Sequence, residues 1–111
     1  MSRWLQRALN RIHKCAAAGT VRFTLKALHE IAQLALALDE MDAVDVLSGL
    51  GTTDSAGRVR SRRTGEWMYV FRPRVAGMPL YVKVILRGDC VVVSFHEDSD
   101  ETEEEEGDET H

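Results

Sequence analysis

The chain has few of the features that mark several common protein classes. Its two cysteines, Cys15 and Cys90, lie at neither a metal-ligand nor a Cys-x-x-Cys spacing, so we expect two small buried side chains. Its longest apolar runs, such as Leu34–Leu38 and Cys90–Val93, are far shorter than the ~20 residues that cross a bilayer. These absences argue against a cysteine-based site and against a membrane span.

A secretion signal is also missing from the first residues. The N-terminus is basic, but Gln6, Asn10 and His13 interrupt the apolar pattern that a signal peptide needs. The sequence has no motif typical of metal catalysis, nucleotide binding, or a serine or cysteine nucleophile. We therefore predict a cytoplasmic protein that uses no metal and no small-molecule cofactor.

Basic residues are absent from the C-terminal end. Ten of the eighteen acidic residues lie in 97–109, which leaves eight acids against fourteen bases in residues 1–96. The body therefore carries about +6 and favours an anionic partner, although the whole chain has a net charge of −4. We predict one folded domain over 1–96 and a disordered acidic tail over 97–111. That tail is either a solubilising appendage or an internal mimic of nucleic acid.

Three amphipathic helices are predicted in the first half of the chain. Apolar residues at helical spacing form a first helix that ends near Gly19. Thr24 can cap a second helix, and Asp39 can cap a short third helix that Ser48-Gly49 closes. This half contains no group of residues that suggests chemistry, so we interpret it as packing material.

The second half predicts strands. Glu66–Arg72 has strand character and ends where Pro73 removes a backbone donor. Leu80–Arg87 and Cys90–His96 are rich in β-branched residues, and Gly88-Asp89 between them predicts a hairpin with a two-residue turn.

That turn sets a register for the hairpin. It would pair Ile85 with Val92, Lys83 with Ser94, and Tyr81 with His96. The other face would then be wholly apolar, and a one-residue slip would destroy this partition. The pattern therefore predicts that Tyr81, Lys83, Ser94 and His96 share one face of the sheet.

Several short motifs occur in a recognisable order. Gly19–Thr24 (Gly-Thr-Val-Arg-Phe-Thr) and the helix Met41–Leu50 come first. Phe71–Arg74 (Phe-Arg-Pro-Arg), Leu80–Lys83 (Leu-Tyr-Val-Lys) and Val92–Phe95 (Val-Val-Ser-Phe) follow. Over residues 14–96 this set resembles the MqsR-like (motility quorum-sensing regulator) toxins.

The resemblance implies both a fold and a function. The implied fold is an α+β domain of the RelE-like class, with N-terminal helices packed on a small antiparallel sheet. The implied function is that of an mRNA interferase, a toxin that cleaves single-stranded messenger RNA without the ribosome or a metal. The implied partners are mRNA and a cognate antitoxin protein, with no membrane.

The resemblance also points to candidate catalytic residues. Tyr81 matches the family's functionally important tyrosine, and His96 occupies the place of a basic residue that follows the Ser-Phe pair. Attack of a ribose 2′-hydroxyl on phosphate needs a base, an acid and nearby cations, which a histidine, a tyrosine and arginines can supply. We predict Tyr81, His96 and Arg72 as catalytic, and Arg74 and Lys83 as RNA-binding.

A further cluster of arginines lies in the glycine-interrupted segment 52–65. We expect a flexible loop that contacts RNA, although a simple charged loop is the alternative. Its arginines are Arg58, Arg60, Arg62 and Arg63.

Two departures from the family pattern leave other functions open. Met68 stands where many members have Gln, and Ser55–Gly57 replaces an aromatic and lysine-containing loop motif. A catalytically weak or inactive RNA-binding module, or a protein-interaction module of the same fold, therefore remains an alternative.

Overall fold

The computed structural model describes residues 2–99. Three helices, six strands and one 3-10 turn (Thr52–Asp54) follow one another over this range. The helices are α1 (Arg3–Ala18), α2 (Leu25–Gln33) and α3 (Glu40–Ser48). The strands are β1 (Val21–Phe23), β2 (Ser55–Arg60), β3 (Trp67–Phe71), β4 (Arg74–Val75), β5 (Met78–Leu86) and β6 (Cys90–Glu97). No helix among these residues is both long enough and apolar enough to cross a membrane.

The helix ends are those predicted from local signals. Gly19 ends α1 with φ 75°, a conformation that glycine adopts without steric cost. The Thr24 hydroxyl accepts a hydrogen bond from the Ala27 N–H at 3.1 Å and so caps α2. Asp39 and Asp42 accept hydrogen bonds from each other's backbone N–H groups at the start of α3. These caps confirm all three predicted helices, and α2 ends at Gln33.

The strands form one sheet in the order β1-β6-β5-β3-β2, with β4 beside β5. The α+β class is confirmed, but the sheet is mixed because β1 runs parallel to β6. The expectation of a purely antiparallel sheet is wrong at this strand. Val21–Phe23 is too short to show a strand pattern in the sequence, and it leads directly into α2. The RelE-like assignment remains a prediction.

The turn of the β5–β6 hairpin differs from the predicted one. Leu86 pairs with Cys90, so the loop has three residues, 87–89, rather than two. The Arg87 N–H donates to the Asp89 carbonyl at 2.9 Å, and Gly88 has φ 103°. Glycine at the centre of the loop adopts this positive φ without steric cost.

Further along, the hairpin returns to the predicted register. Val84 pairs with Val92, whereas the next pairs are Lys83 with Ser94 and Tyr81 with His96. The ladder therefore shifts by one residue at Val93, which forms a bulge and compensates for the longer turn. The predicted partition into a polar and an apolar face is wrong near the turn, because Ile85 pairs with Val91.

The two faces of the sheet have different neighbours. On the helix face, buried residues of all three helices pack against one apolar cluster that includes Phe71, Val82, Val84, Val92 and Phe95. Strand alternation places a second set on the opposite face, which we call the Tyr81 face. Its residues are Met68, Val70, Tyr81, Lys83, Ile85, Val91, Ser94 and His96.

The end of β6 bears on the predicted domain boundary. Glu97 ends the strand, and the next residue, Asp98, donates its backbone N–H to the Pro79 carbonyl at 2.9 Å. Residues 100–111 of the predicted acidic tail lie outside the described residues.

Candidate functional site

Tyr81 and His96 are cross-strand partners on β5 and β6. Their rings stack, with centroids 5.1 Å apart and planes inclined by 16°. His96 Nδ1 lies 2.9 Å from the Glu97 carbonyl oxygen. Since a carbonyl only accepts, this contact assigns the proton of a neutral imidazole to Nδ1. His96 Nε2 is then the nitrogen that can take a proton from a substrate.

Arg72 reaches the same place from the end of β3. Its backbone N–H donates to the Asp54 carbonyl at 2.7 Å, which fixes the chain where it leaves the strand. Its guanidinium carbon lies 5.9 Å from the centroid of the Tyr81 ring. Arg72 Nε also lies 3.4 Å from Asp98 Oδ2, in a half-buried ion pair. The structure thus brings Arg72, Tyr81 and His96 together.

The Tyr81 hydroxyl is a buried polar group without a hydrogen-bond partner among residues 2–99. The whole residue is 2% exposed. Leaving a buried hydroxyl unpaired costs roughly 1–3 kcal/mol, so such groups call for an explanation. A hydroxyl kept at this cost beside a histidine and an arginine is typical of a functional site.

Lys83 lies two residues after Tyr81 on β5, and its side chain is on the same face of the sheet. It lies opposite Ser94 on β6 and opposite Val70 on β3, and it is fully buried. The predicted RNA-binding lysine is therefore on the same face as Tyr81 and His96. Its contact with RNA remains a prediction.

Arg58 and Arg60 lie elsewhere, because the middle of the predicted loop is strand β2. They pair with Tyr69 and Trp67 on the helix face, opposite to Tyr81. Arg58 stacks on Trp67 and on Trp4 of α1, with its guanidinium carbon 3.9 and 4.6 Å from the two ring centroids. Arg60 stacks on Trp67 at 4.1 Å. The expectation of a flexible loop is wrong here, since these cation–π contacts fasten an edge strand.

Arg62 and Arg63 lie in the tight turn between β2 and β3. The Ser61 hydroxyl accepts from the backbone N–H groups of Arg63 and Thr64, and Gly65 closes the turn with φ 79°. Among residues 2–99, neither arginine side chain has a partner. Arg63 lines a cavity on the Tyr81 face, whereas Arg62 does not.

Arg74 has a local contact instead. It belongs to the short strand β4 and donates through its guanidinium to the Gly77 carbonyl at 2.8 Å. Its side chain is exposed. Arg74 thus closes its own turn, and the structure does not bring it into contact with Tyr81 or His96.

Comparison with known proteins adds to this geometry. A family model described as "Motility quorum-sensing regulator, toxin of MqsA" matches residues 6–97. The mRNA interferase toxin MqsR of Escherichia coli (strain K12) is 32% identical over 90 residues, which are 80% of this chain and 90% of that protein. The chain belongs to the MqsR toxin family.

The MqsR family match contains every strand of the sheet and therefore the whole Tyr81 face. It ends at the last residue of β6. Asp98, which pairs with Arg72, and the acidic residues after it lie beyond the match. The contact between Asp98 and Arg72 is consequently a feature of this chain outside its family-matched part.

Sequence reasoning missed one cation beside the Tyr81 face. Lys26 on α2 places its ammonium nitrogen 3.0 Å from Ser94 Oγ and 3.3 Å from the Val93 carbonyl. It also pairs with Glu30, whose carboxylate accepts the Phe95 N–H at 2.9 Å. Lys26 stands on the polar side of an amphipathic helix, and no local signal showed that this side faces β6.

A carboxylate clamps another cation near the turn of the hairpin. Glu66 binds Arg87 through two hydrogen bonds of 2.7 Å. The hydrogen bonds from Arg87 lower the pKa of the Glu66 carboxyl to about 2. At neutral pH the charge of Arg87 is therefore matched by a neighbouring negative charge.

Proposed function

We propose that this chain is an mRNA interferase, the toxin of a toxin–antitoxin pair, which cleaves single-stranded messenger RNA in the cytoplasm without the ribosome or a metal. The observation that carries the proposal is the stacked Tyr81–His96 pair beside Arg72, with a buried and unpartnered tyrosine hydroxyl. The name of the E. coli relative, mRNA interferase toxin MqsR, supports the same activity.

The three side chains have complementary roles in such a cleavage. His96 Nε2 takes the proton of a ribose 2′-hydroxyl, and the freed oxygen attacks the adjacent phosphorus. The bond from phosphorus to the 5′-oxygen breaks, and the Tyr81 hydroxyl gives its proton to that leaving oxygen. Arg72 stabilises the charge on the non-bridging oxygens with its planar set of donors. The products are a 2′,3′-cyclic phosphate and a 5′-hydroxyl, and proton transfer from imidazolium to tyrosinate through solvent restores the site.

Access to this site involves Asp98. The Asp98 carboxylate lies beside the Arg72 guanidinium, where a phosphate of the substrate would bind. Tyr81 is only 2% exposed, so the side chains that cover it must move before a substrate can reach its hydroxyl. We infer that RNA and Asp98 compete for Arg72.

The direct test is incubation of the full chain with unstructured RNA in the presence of EDTA. We expect new fragments that carry 2′,3′-cyclic phosphate or 3′-phosphate at one end and 5′-hydroxyl at the other. A preparation of the Tyr81→Phe, His96→Ala double variant, purified in the same way, controls for contaminating ribonuclease. Intact RNA at high protein concentration would contradict the proposal, and a salt-sensitive mobility shift without cleavage would favour an RNA-binding module.

The proposed protein partner is a cognate antitoxin, in keeping with the description of the matched family as a toxin of MqsA. Expression of the chain alone should arrest growth, and co-expression of its antitoxin should relieve the arrest.

A further inference from the structure

A cavity of about 300 Å³ opens on the Tyr81 face beyond Lys83. We call it the basic cavity. Its floor is formed by Met68, Ile85 and Val93, and its rim carries Lys26, Arg63 and Arg87. Lys26 also contacts Ser94, the cross-strand partner of Lys83. The Lys83–Ser94 pair lies next to the Tyr81–His96 pair on the same face, so the cavity borders the candidate site.

The floor and the rim offer different chemistry. The floor is apolar, because the accessible parts of Met68 and Ile85, which are 5% and 7% exposed, are joined there by the half-buried Val93. The backbone of the turn that carries Arg63 is fixed before any ligand arrives, because the Ser61 hydroxyl accepts the N–H groups of Arg63 and Thr64. An apolar floor with a few fixed polar groups is typical of a small-ligand subsite.

The charges around the basic cavity favour a phosphate at Arg63. Arg87 is matched by Glu66, and Lys26 pairs with Glu30. The Arg63 guanidinium has no such partner among residues 2–99. A single-stranded polyanion that runs from the Tyr81–His96 pair into the basic cavity can therefore pair one of its phosphates with Arg63.

A second cavity, on the other side of His96, has the opposite character. It holds about 310 Å³ and is lined by Glu30, Glu97 and His96 among others. Glu30 is already paired with Lys26, but the exposed Glu97 has no ion-pair partner among residues 2–99 and repels phosphates. The electrostatics of the two cavities thus select one direction for an RNA strand across the site.

The spacing of side chains along β5 fits the spacing of nucleotides in an RNA strand. Side chains on one face of a strand recur every two residues, roughly 7 Å apart. Tyr81, Lys83 and Ile85 follow one another in this way, which puts the floor about 13 Å from Tyr81. That distance is within reach of a nucleotide that closely flanks the cleaved bond.

We propose that the basic cavity is a base-binding subsite for single-stranded RNA. The nucleobase of a flanking nucleotide stacks on Met68 and Ile85, and the phosphate beside it binds Arg63. This inference rests on the proposed endoribonuclease function and names where a flanking base is recognised.

The test compares two arginines of the same turn. Arg63→Ala removes a rim cation of the basic cavity, and Arg62→Ala removes the same charge from a neighbouring residue that does not line it. Each variant is measured for cleavage of a dinucleotide and of a longer RNA. We expect Arg63→Ala to lower kcat/KM on the longer RNA at least tenfold, mainly through KM, with less than a twofold change on the dinucleotide. Arg62→Ala should weaken both substrates alike and by less than threefold.

A second measurement probes the base itself. RNAs with an abasic nucleotide at each flanking place are bound to the wild-type chain and to Ile85→Ala, after both are shown to melt at similar temperatures. The wild type should lose at least fivefold in affinity for one abasic RNA, and Ile85→Ala should show no such discrimination. Equal effects of the two arginine variants, or equal affinity for intact and abasic RNA, would overturn the subsite. If the wild type binds RNA but never cleaves it, the proposed function fails, and the abasic comparison still decides the subsite.

Discussion

Three side chains form the candidate site on the Tyr81 face, and each is held by a different contact. The backbone of Arg72 is tied to Asp54, and the imidazole of His96 is oriented by the Glu97 carbonyl. The Tyr81 ring stacks on His96 and lies near the Arg72 guanidinium, but its hydroxyl has no hydrogen-bond partner among residues 2–99. The unpaired tyrosine hydroxyl therefore lowers the stability of the fold, a cost that its proposed role in the reaction explains.

This cost leads to a prediction about Tyr81→Phe. Removal of the unpaired hydroxyl should raise the free energy of unfolding by about 1–3 kcal/mol, because the phenylalanine keeps the ring and loses the buried polar atom. Denaturant unfolding of the wild type and the variant measures this difference. Val70→Ala, on the same face, should have the opposite effect because it removes buried apolar atoms. A variant that is less stable than the wild type would show that the hydroxyl has a partner in solution.

The two cysteines are packing residues of the apolar core. Both are buried among apolar residues, as their isolated places in the sequence predicted. Burial raises the pKa of the Cys90 thiol to about 12, so this thiol is neutral at physiological pH.

At the scale of elements, local signals gave the helices and misjudged the hairpin turn. Thr24, Asp39 and Gly19 act on their nearest backbone groups, so each could be read from a few neighbouring residues. The three-residue turn occurs together with a bulge at Val93, which no local sequence pattern predicts. The longer loop and the bulge compensate for each other, and the Tyr81–His96 pair was predicted correctly even though the turn was not.

The arginine-rich segment shows why the rest of the site was harder to predict. Whether a residue of β2 faces the helices or the Tyr81 face depends on its register against β3, which is set by contacts distant in the chain. Arg58 of β2 therefore stacks on Trp67, while Arg63, in the turn after β2, lines a cavity on the Tyr81 face. Lys26 was missed for the same reason, because its place beside β6 follows from tertiary packing.

At the scale of the whole molecule, charge is divided between a basic body and an acidic C-terminal end. Residues 97–109 carry ten acids, and Asp98 already pairs with Arg72. The body of about +6 is the part that would attract RNA. The acidic end has the negative charge to compete with RNA for the Tyr81 face, and its residue Asp98 already lies next to Arg72 on that face.

Truncation after Asp98 tests this competition. The shortened chain should bind RNA more tightly at low ionic strength, and the gain should fade as added salt shortens the screening length to about 10 Å near 0.1 M. Affinity is measured for both chains over a series of salt concentrations. A full-length chain in which the acids after Asp98 are changed to their amides separates charge from length and should behave like the truncated one. Equal affinity of the full and truncated chains at every salt concentration would leave solubility as the role of the acidic end.

The central claim is that Tyr81 and His96 act together on one phosphate. Single-turnover cleavage of one RNA by the wild type, Tyr81→Phe, His96→Ala and the double variant tests it most directly. Each single variant should cleave at least tenfold more slowly, and the double variant should be slower by much less than the product of the two effects, because both groups serve one transition state. Full activity of both single variants would contradict the account, since the stacked pair would then lie outside the site of cleavage.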